Sequence, residues 1–146
     1  MRRNSDPEKD LKFIRYEDYG LDLYSNAILV SQSLIANNPN AVKGLLRAIN
    51  RGLKDAYADQ KAAIQSVLKR EPLLNEGIES QRLALMFSFD MSGPEAATGV
   101  GDVVDARVER NIEVMVEANK LPRRPAPSEV FDRRFMPPVA ERLKTH

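Results

Sequence analysis

Glu17–Ser31 reads EDYGLDLYSNAILVS, and the fold class turns on whether its last third is a strand. Asp18, Gly20 and Asp22 are turn residues, so the first part reads as a polar elbow carrying Tyr19 and Tyr24. The run Ala27–Val30 is short, apolar and bounded by polar residues, which predicts a strand buried on both faces. Upstream, Leu11–Tyr16 (LKFIRY) alternates Leu11, Phe13 and Arg15 with Lys12, Ile14 and Tyr16. That β-prone alternation predicts a second short strand. The pair would be a poor sheet, because an isolated hairpin is marginal in water. Either the helices that follow carry the stability or the strands find partners elsewhere.

From Ser31 onward the pattern is helical. Ser31 caps a short helix through Ile35. Asn38 is a good N-cap and Pro39 fits the first helical position of a long helix ending near Asp59. Val42, Leu45, Leu46, Ile49, Leu53, Ala56 and Tyr57 recur at steps of three and four, which predicts one buried stripe. Asp59 caps a helix with Ile64, Val67 and Leu68 inward, stopped by Pro72. Asn75 opens another, with Ile78, Leu85, Met86 and Phe89 as its inner stripe. Ser92–Gly101 reads as a loop. Asp102 or Asp105 is the expected cap of a helix with Val108, Ile112, Met115 and Val116 inward. After the break at LPRRPAP, Ser128 caps a single turn through Phe131, and a last short helix starts near Val139. The expected fold class is α+β and mostly α-helical, with two short strands and five or six helices. Residues 1–10 read as a loose N-terminal segment and 11–146 as a single domain.

The chain has 146 residues, with 22 Lys and Arg against 21 Asp and Glu. That near-balance leaves no electrostatic footprint for nucleic acid or an anionic membrane. There is no cysteine, and the single histidine is His146. Disulfides, thiolate chemistry and Ser–His or Cys–His nucleophilic pairs are therefore excluded, and no metal site or cofactor is expected. The first ten residues, MRRNSDPEKD, have no apolar segment behind their arginines, so no signal peptide is expected within this chain. Nothing approaches the length of a membrane span.

Few motifs suggest chemistry. Thr98–Asp102 (TGVGD) precedes a helix but lacks the glycine spacing and lysine of a phosphate loop. Arg123–Arg124 and Arg133–Arg134 flank a proline-rich segment without the interleaved aromatics of a nucleic-acid surface. The elbow is different. Tyr19 and Tyr24 can stack on a flat ligand and donate a hydroxyl hydrogen bond, and Asn26 can both donate and accept. Tyr19, Tyr24 and Asn26 are therefore the candidate ligand-binding residues, with no catalytic residue named. The residues alone leave a second reading open, in which both tyrosines cap the edge of the core and Asn26 satisfies a turn.

The stretch Tyr16–Asp59, with Tyr19–Gly20, the run Ala27–Val30, Ser31, Asn38–Pro39 and the long amphipathic helix, resembles the C-terminal half of NMT1/THI5-like (SsuA/THI5-like) substrate-binding proteins of ABC transporters. The resemblance continues through Gly99–Leu121 and Pro127–Pro138. It implies the C-terminal portion of a periplasmic-binding-protein type II fold, with the elbow at a hinge beside the ligand cleft. It implies a non-enzymatic, periplasmic solute-binding component of an importer, truncated relative to that family. Its partners would be a small-molecule nutrient (a pyrimidine or thiamine precursor, riboflavin, a sulfonate or a nitrate-like anion) and the membrane subunits of the transporter. A THI5-like pyrimidine-biosynthesis protein is the rival, opposed by the lack of cysteine and internal histidine. A helical interaction module that binds no ligand is another. Unpaired strand edges further predict a possible homodimer through the exposed strands.

Overall fold

The computed structural model describes residues 12, 14–24, 26–91, 93 and 95–144. Among them there is no strand. The elements are helices throughout: α1 (Gln32–Asn37), α2 (Pro39–Ala58), α3 (Gln60–Arg70), α4 (Glu76–Asp90), α5 (Glu95–Thr98), α6 (Asp105–Asn119) and α7 (Pro127–Val130). Three 3-10 turns, Tyr16–Tyr19, Arg133–Phe135 and Val139–Glu141, complete them.

The expected α+β class is thus corrected to all-α, and with it the two strands of a binding-protein fold. Leu11 and Phe13 of the first predicted strand lie outside the described residues. Its end coils instead into a 3-10 turn, in which the Asp18 and Gly20 amides donate to the Arg15 and Glu17 carbonyls. Gly20 closes that turn at φ 80°, a left-handed conformation that glycine adopts without a Cβ penalty. The second, Ala27–Val30, has no regular structure, and Ile28 and Leu29 are 50% and 93% exposed. An apolar run becomes a strand only where a neighbour pairs its backbone, and no described residue forms a ladder with this one. The edge-pairing route to a homodimer loses its premise with the strands.

The helix starts follow the sequence closely. Side-chain oxygens of Ser31, Asn38, Asp59 and Asn75 accept from the amides of Leu34, Ala41, Ala62 and Ile78 at 3.2, 3.1, 2.9 and 3.1 Å. Each satisfies one of the amides left open at a helix N-terminus. Further along the chain the expected caps are replaced. Val104, not Asp102 or Asp105, precedes α6, and it offers no side-chain cap. At α7 the N-terminal residue is Pro127, not a turn capped by Ser128, and Glu129 folds back to accept from the Ala126 amide at 2.7 Å. The Ser92–Gly101 loop contains the short helix α5.

Successive helices pack on one another from α1 to α4, and α2 also meets the 3-10 turn Arg133–Phe135. Asn50 and Lys54 on α2 donate to the Glu141 carbonyl, and the Leu143 amide donates to Asn50. The C-terminal segment is thereby strapped along α2. The buried apolar side chains are Val42, Ile64, Phe87, Val108, Ile112, Phe135 and Leu143. This is a thinner core than the helical stripes predict. On α2 only Val42 is buried, while Leu45, Ile49 and Tyr57 are 48%, 37% and 42% exposed. On α4 the buried residue is Phe87, set edge-on to Tyr57 with ring centroids 5.2 Å apart. Of the stripe expected inward, Ile78, Leu85 and Phe89 turn away from the Phe87 side and are 49%, 56% and 51% exposed, and Met86, at its flank, is 38% exposed. Periodicity identifies an apolar face but not the side on which a neighbour will lie.

Candidate functional site

Residues 16–24 form one wall of a groove and α6 forms the other. The groove encloses about 430 Å³ and is lined by Tyr16, Glu17, Leu21, Asp22, Leu23, Tyr24 and Arg107. That first wall is anchored through a single residue, Tyr24. Asn111 on α6 brackets the Tyr24 backbone, accepting from its amide at 3.3 Å and donating to its carbonyl at 3.4 Å. One side-chain amide thus supplies the pairing that a neighbouring strand would have given. The Tyr24 hydroxyl donates to the Glu95 carboxylate and accepts from the Val104 amide at 2.8 Å. The Arg107 guanidinium lies over the Tyr24 ring, 4.1 Å from its centroid.

Arg107 is the charged centre of this arrangement. Its NH1 group pairs with Glu95 at 3.2 Å, and its NH2 group pairs with Asp22 at 2.5 Å and reaches the Leu23 carbonyl at 3.5 Å. Its Nε is buried and has no hydrogen-bond partner among the described residues. The two carboxylates differ in setting: the Glu95 side chain is 12% exposed and that of Asp22 is 60% exposed. Burial pushes the Glu95 carboxyl upward, but hydrogen bonds from Tyr24 and Arg107 outweigh it and hold the group below the usual range. For Tyr24, burial and the neighbouring Glu95 push the phenol up, so it stays a neutral hydroxyl. Arg107 is penalised by burial, yet Glu95 and Asp22 keep it firmly protonated.

A second polar cluster sits beside the first. Asp102 accepts from Arg133 Nε at 2.9 Å, from the Val103 amide at 2.8 Å and from Arg142 NH1 at 2.7 Å. This clasp ties the α5–α6 loop to the C-terminal segment. Burial raises the Asp102 carboxyl, and its two arginines and one amide more than reverse that, leaving it depressed. The TGVGD loop is filled by this clasp: a Cβ on Gly99, at φ 101°, would run into the Arg142 side chain. A smaller groove of about 330 Å³ lies nearby, lined by Asp105, Pro127, Ser128, Phe131, Asp132, Arg133 and Arg134. Its guanidinium groups are taken up by Asp102, Asp105 and Asp132. Among the described residues no set of His, Cys, Asp and Glu is disposed to hold a metal ion, and no helix is long and apolar enough to cross a membrane.

The three residues singled out from sequence do not gather here. Tyr24 is in the groove wall, with its hydroxyl and one ring face already engaged. Tyr19 is 74% exposed at the end of its 3-10 turn and does not line the groove. Asn26 is exposed beyond it. Sequence reading missed Tyr16, Glu95, Arg107 and Asn111. Arg107 and Asn111 are one helical turn apart, each next to a buried residue, Val108 or Ile112. That flanking position on the apolar stripe was the available signal.

The fold and groove define the class only broadly, as a helical array with a latched, partly polar cleft. Residues 3–63 match a family model described as NMT1/THI5 like. The chain is similar to that family over this segment alone, which includes the groove-lining residues 16–24 and the helices α1 and α2. The likeness seen in the sequence beyond residue 63 lies outside the match. No curated protein and no solved structure matches the chain.

Proposed function

We propose that this chain serves solute binding, as part of the substrate-binding component of an ABC-type importer, and that the groove between residues 16–24 and α6 takes the ligand. The observation that carries the reading is the NMT1/THI5-like match, whose segment contributes six of the seven residues lining that groove. The groove chemistry supports it. Two tyrosines, two leucines, a fixed guanidinium and two carboxylates make a partly apolar cleft with a few convergent polar groups, the usual make-up of a small-molecule site. The ligand class is a small planar or anionic nutrient such as a pyrimidine, flavin, sulfonate or nitrate. The importer's membrane subunits would be the protein partners, at the periplasmic face of the membrane.

A thermal-shift screen of the purified chain against those four classes tests the reading. A ligand at 100 times its dissociation constant adds about 2.7 kcal/mol to stability. A concentration-dependent rise in melting temperature with one class is the expected result. No shift with any of them, together with no binding by calorimetry, would overturn it.

A further inference from the structure

Resting on the solute-binding reading, we infer that Asp22 is a built-in stand-in for the ligand: the groove binds a flat anion, which takes the place of Asp22 on Arg107. The two ion pairs of Arg107 are unequal in a way that suits exchange. On one side the guanidinium is fixed. Its NH1 group bonds the largely buried Glu95, which also receives the Tyr24 hydroxyl, and the Tyr24 ring lies against its face. On the other side NH2 is held by Asp22, whose side chain is 60% exposed and stands on a loop rather than a helix. An ion pair with so exposed a partner contributes little net free energy and is readily exchanged. The inner pair therefore keeps the cation in place while the outer one lets go.

The adjoining Nε points to the same conclusion. It is a buried donor with no partner among the described residues, and such groups are uncommon enough in folded proteins to require an explanation. Nε and NH2 together form the edge of a guanidinium that receives a carboxylate or sulfonate through two parallel hydrogen bonds. Asp22 engages only NH2. An anion arriving in place of Asp22 satisfies both donors, so the exchange gains one hydrogen bond. The ring of such a ligand meets the apolar and aromatic part of the groove, Tyr16, Leu21 and Tyr24. A cationic ring would instead meet Arg107 directly and could not displace a carboxylate from it.

The test uses three probes of one shape, benzoate, benzamide and benzamidine, titrated into the full chain. Binding is read from chemical-shift changes, including the side-chain Nε–H signal of Arg107. The expected result is that benzoate binds best, moves the Arg107 Nε–H signal, and binds severalfold tighter to Asp22→Asn, where the internal competitor has lost its charge. Arg107→Lys should weaken benzoate while leaving the amide spectrum of α1–α4 unchanged. Benzamidine binding best, or benzoate binding with equal strength to wild type and Asp22→Asn, would overturn the exchange and leave solute binding at the groove standing. No binding by any probe, together with a negative ligand screen, would overturn both.

Discussion

The helices α1–α4 and the region around α6 are held together by different physics. In α1–α4 each N-terminal cap is made by the residue next to the helix it caps, and each helix packs on its neighbours in sequence, with α2 also meeting the turn Arg133–Phe135. Around α6 the ties are long-range and polar. Tyr24 reaches Glu95, Val104 and Asn111 across 71, 80 and 87 positions, and Asp102 holds Arg133 and Arg142 across 31 and 40. Local capping makes a helix form, but it does not decide what the helix lies against. Distant polar pairs place α6 beside the loop and so create the groove. Both regions bury apolar side chains, Val42, Ile64 and Phe87 in one and Val108 and Ile112 in the other; the contrast is that long-range ion pairs and hydrogen bonds are added around α6.

The sharpest way to break the comparison is in the apolar contacts. Phe87→Ala removes a buried side chain of α4 and its edge contact with Tyr57. The expected loss is about 3–5 kcal/mol by denaturant unfolding. A loss under about 0.5 kcal/mol, the range of surface substitutions, would show that this contact is not core.

Next comes the ionic clasp. Asp102→Ala takes the carboxylate from Arg142, whose side chain is only 8% exposed, although the Pro137 and Thr98 carbonyls still accept from it, while Arg133 at 44% can turn to water. The expected loss is about 2–3 kcal/mol, below the range of about 3–5 kcal/mol for breaking a fully buried pair, because carbonyls still accept from Arg142 and Arg133 can reach water. The clasp should also be acid-sensitive. The Asp102 carboxyl is depressed in the folded state, so its stabilisation is present above the ordinary aspartate value of about 4 and is lost as pH falls through the depressed one. Melting temperature measured from neutral to acid should fall less steeply in Asp102→Ala than in wild type. Parallel curves would contradict the assignment.

The smallest effect belongs to the caps. Asn38→Ala leaves the Ala41 amide without its side-chain acceptor and should cost about 1 kcal/mol, with helix content otherwise retained.

Legibility in the sequence follows the same division. The starts of α1–α4 could be read because Ser31, Asn38, Asp59 and Asn75 act within three residues of themselves. The inward face of α4 could not, because both its sides are apolar and only the position of a neighbour selects Phe87 over Leu85 and Phe89. The strand reading of Ala27–Val30 failed for a related reason: pairing is a property of two segments, and the sequence shows one. In the groove, Tyr24 was legible as a large amphipathic residue near turns, while its partners were not. Its engagement also changes what a mutation there would mean. Tyr24→Ala would loosen the latch between the loop and α6, so lost binding in that variant would not separate contact from folding.

Tyr16 and Tyr19 give the cleanest separation. They lie three residues apart in one 3-10 turn and are 78% and 74% exposed, yet only Tyr16 lines the groove. The decisive measurement is calorimetric titration of the best ligand from the screen into Tyr16→Ala and Tyr19→Ala. With both variants melting at the wild-type temperature, affinity should fall for Tyr16→Ala and stay unchanged for Tyr19→Ala. Equal affinities in the two variants, or a loss confined to Tyr19→Ala, would contradict the placement of the ligand in this groove.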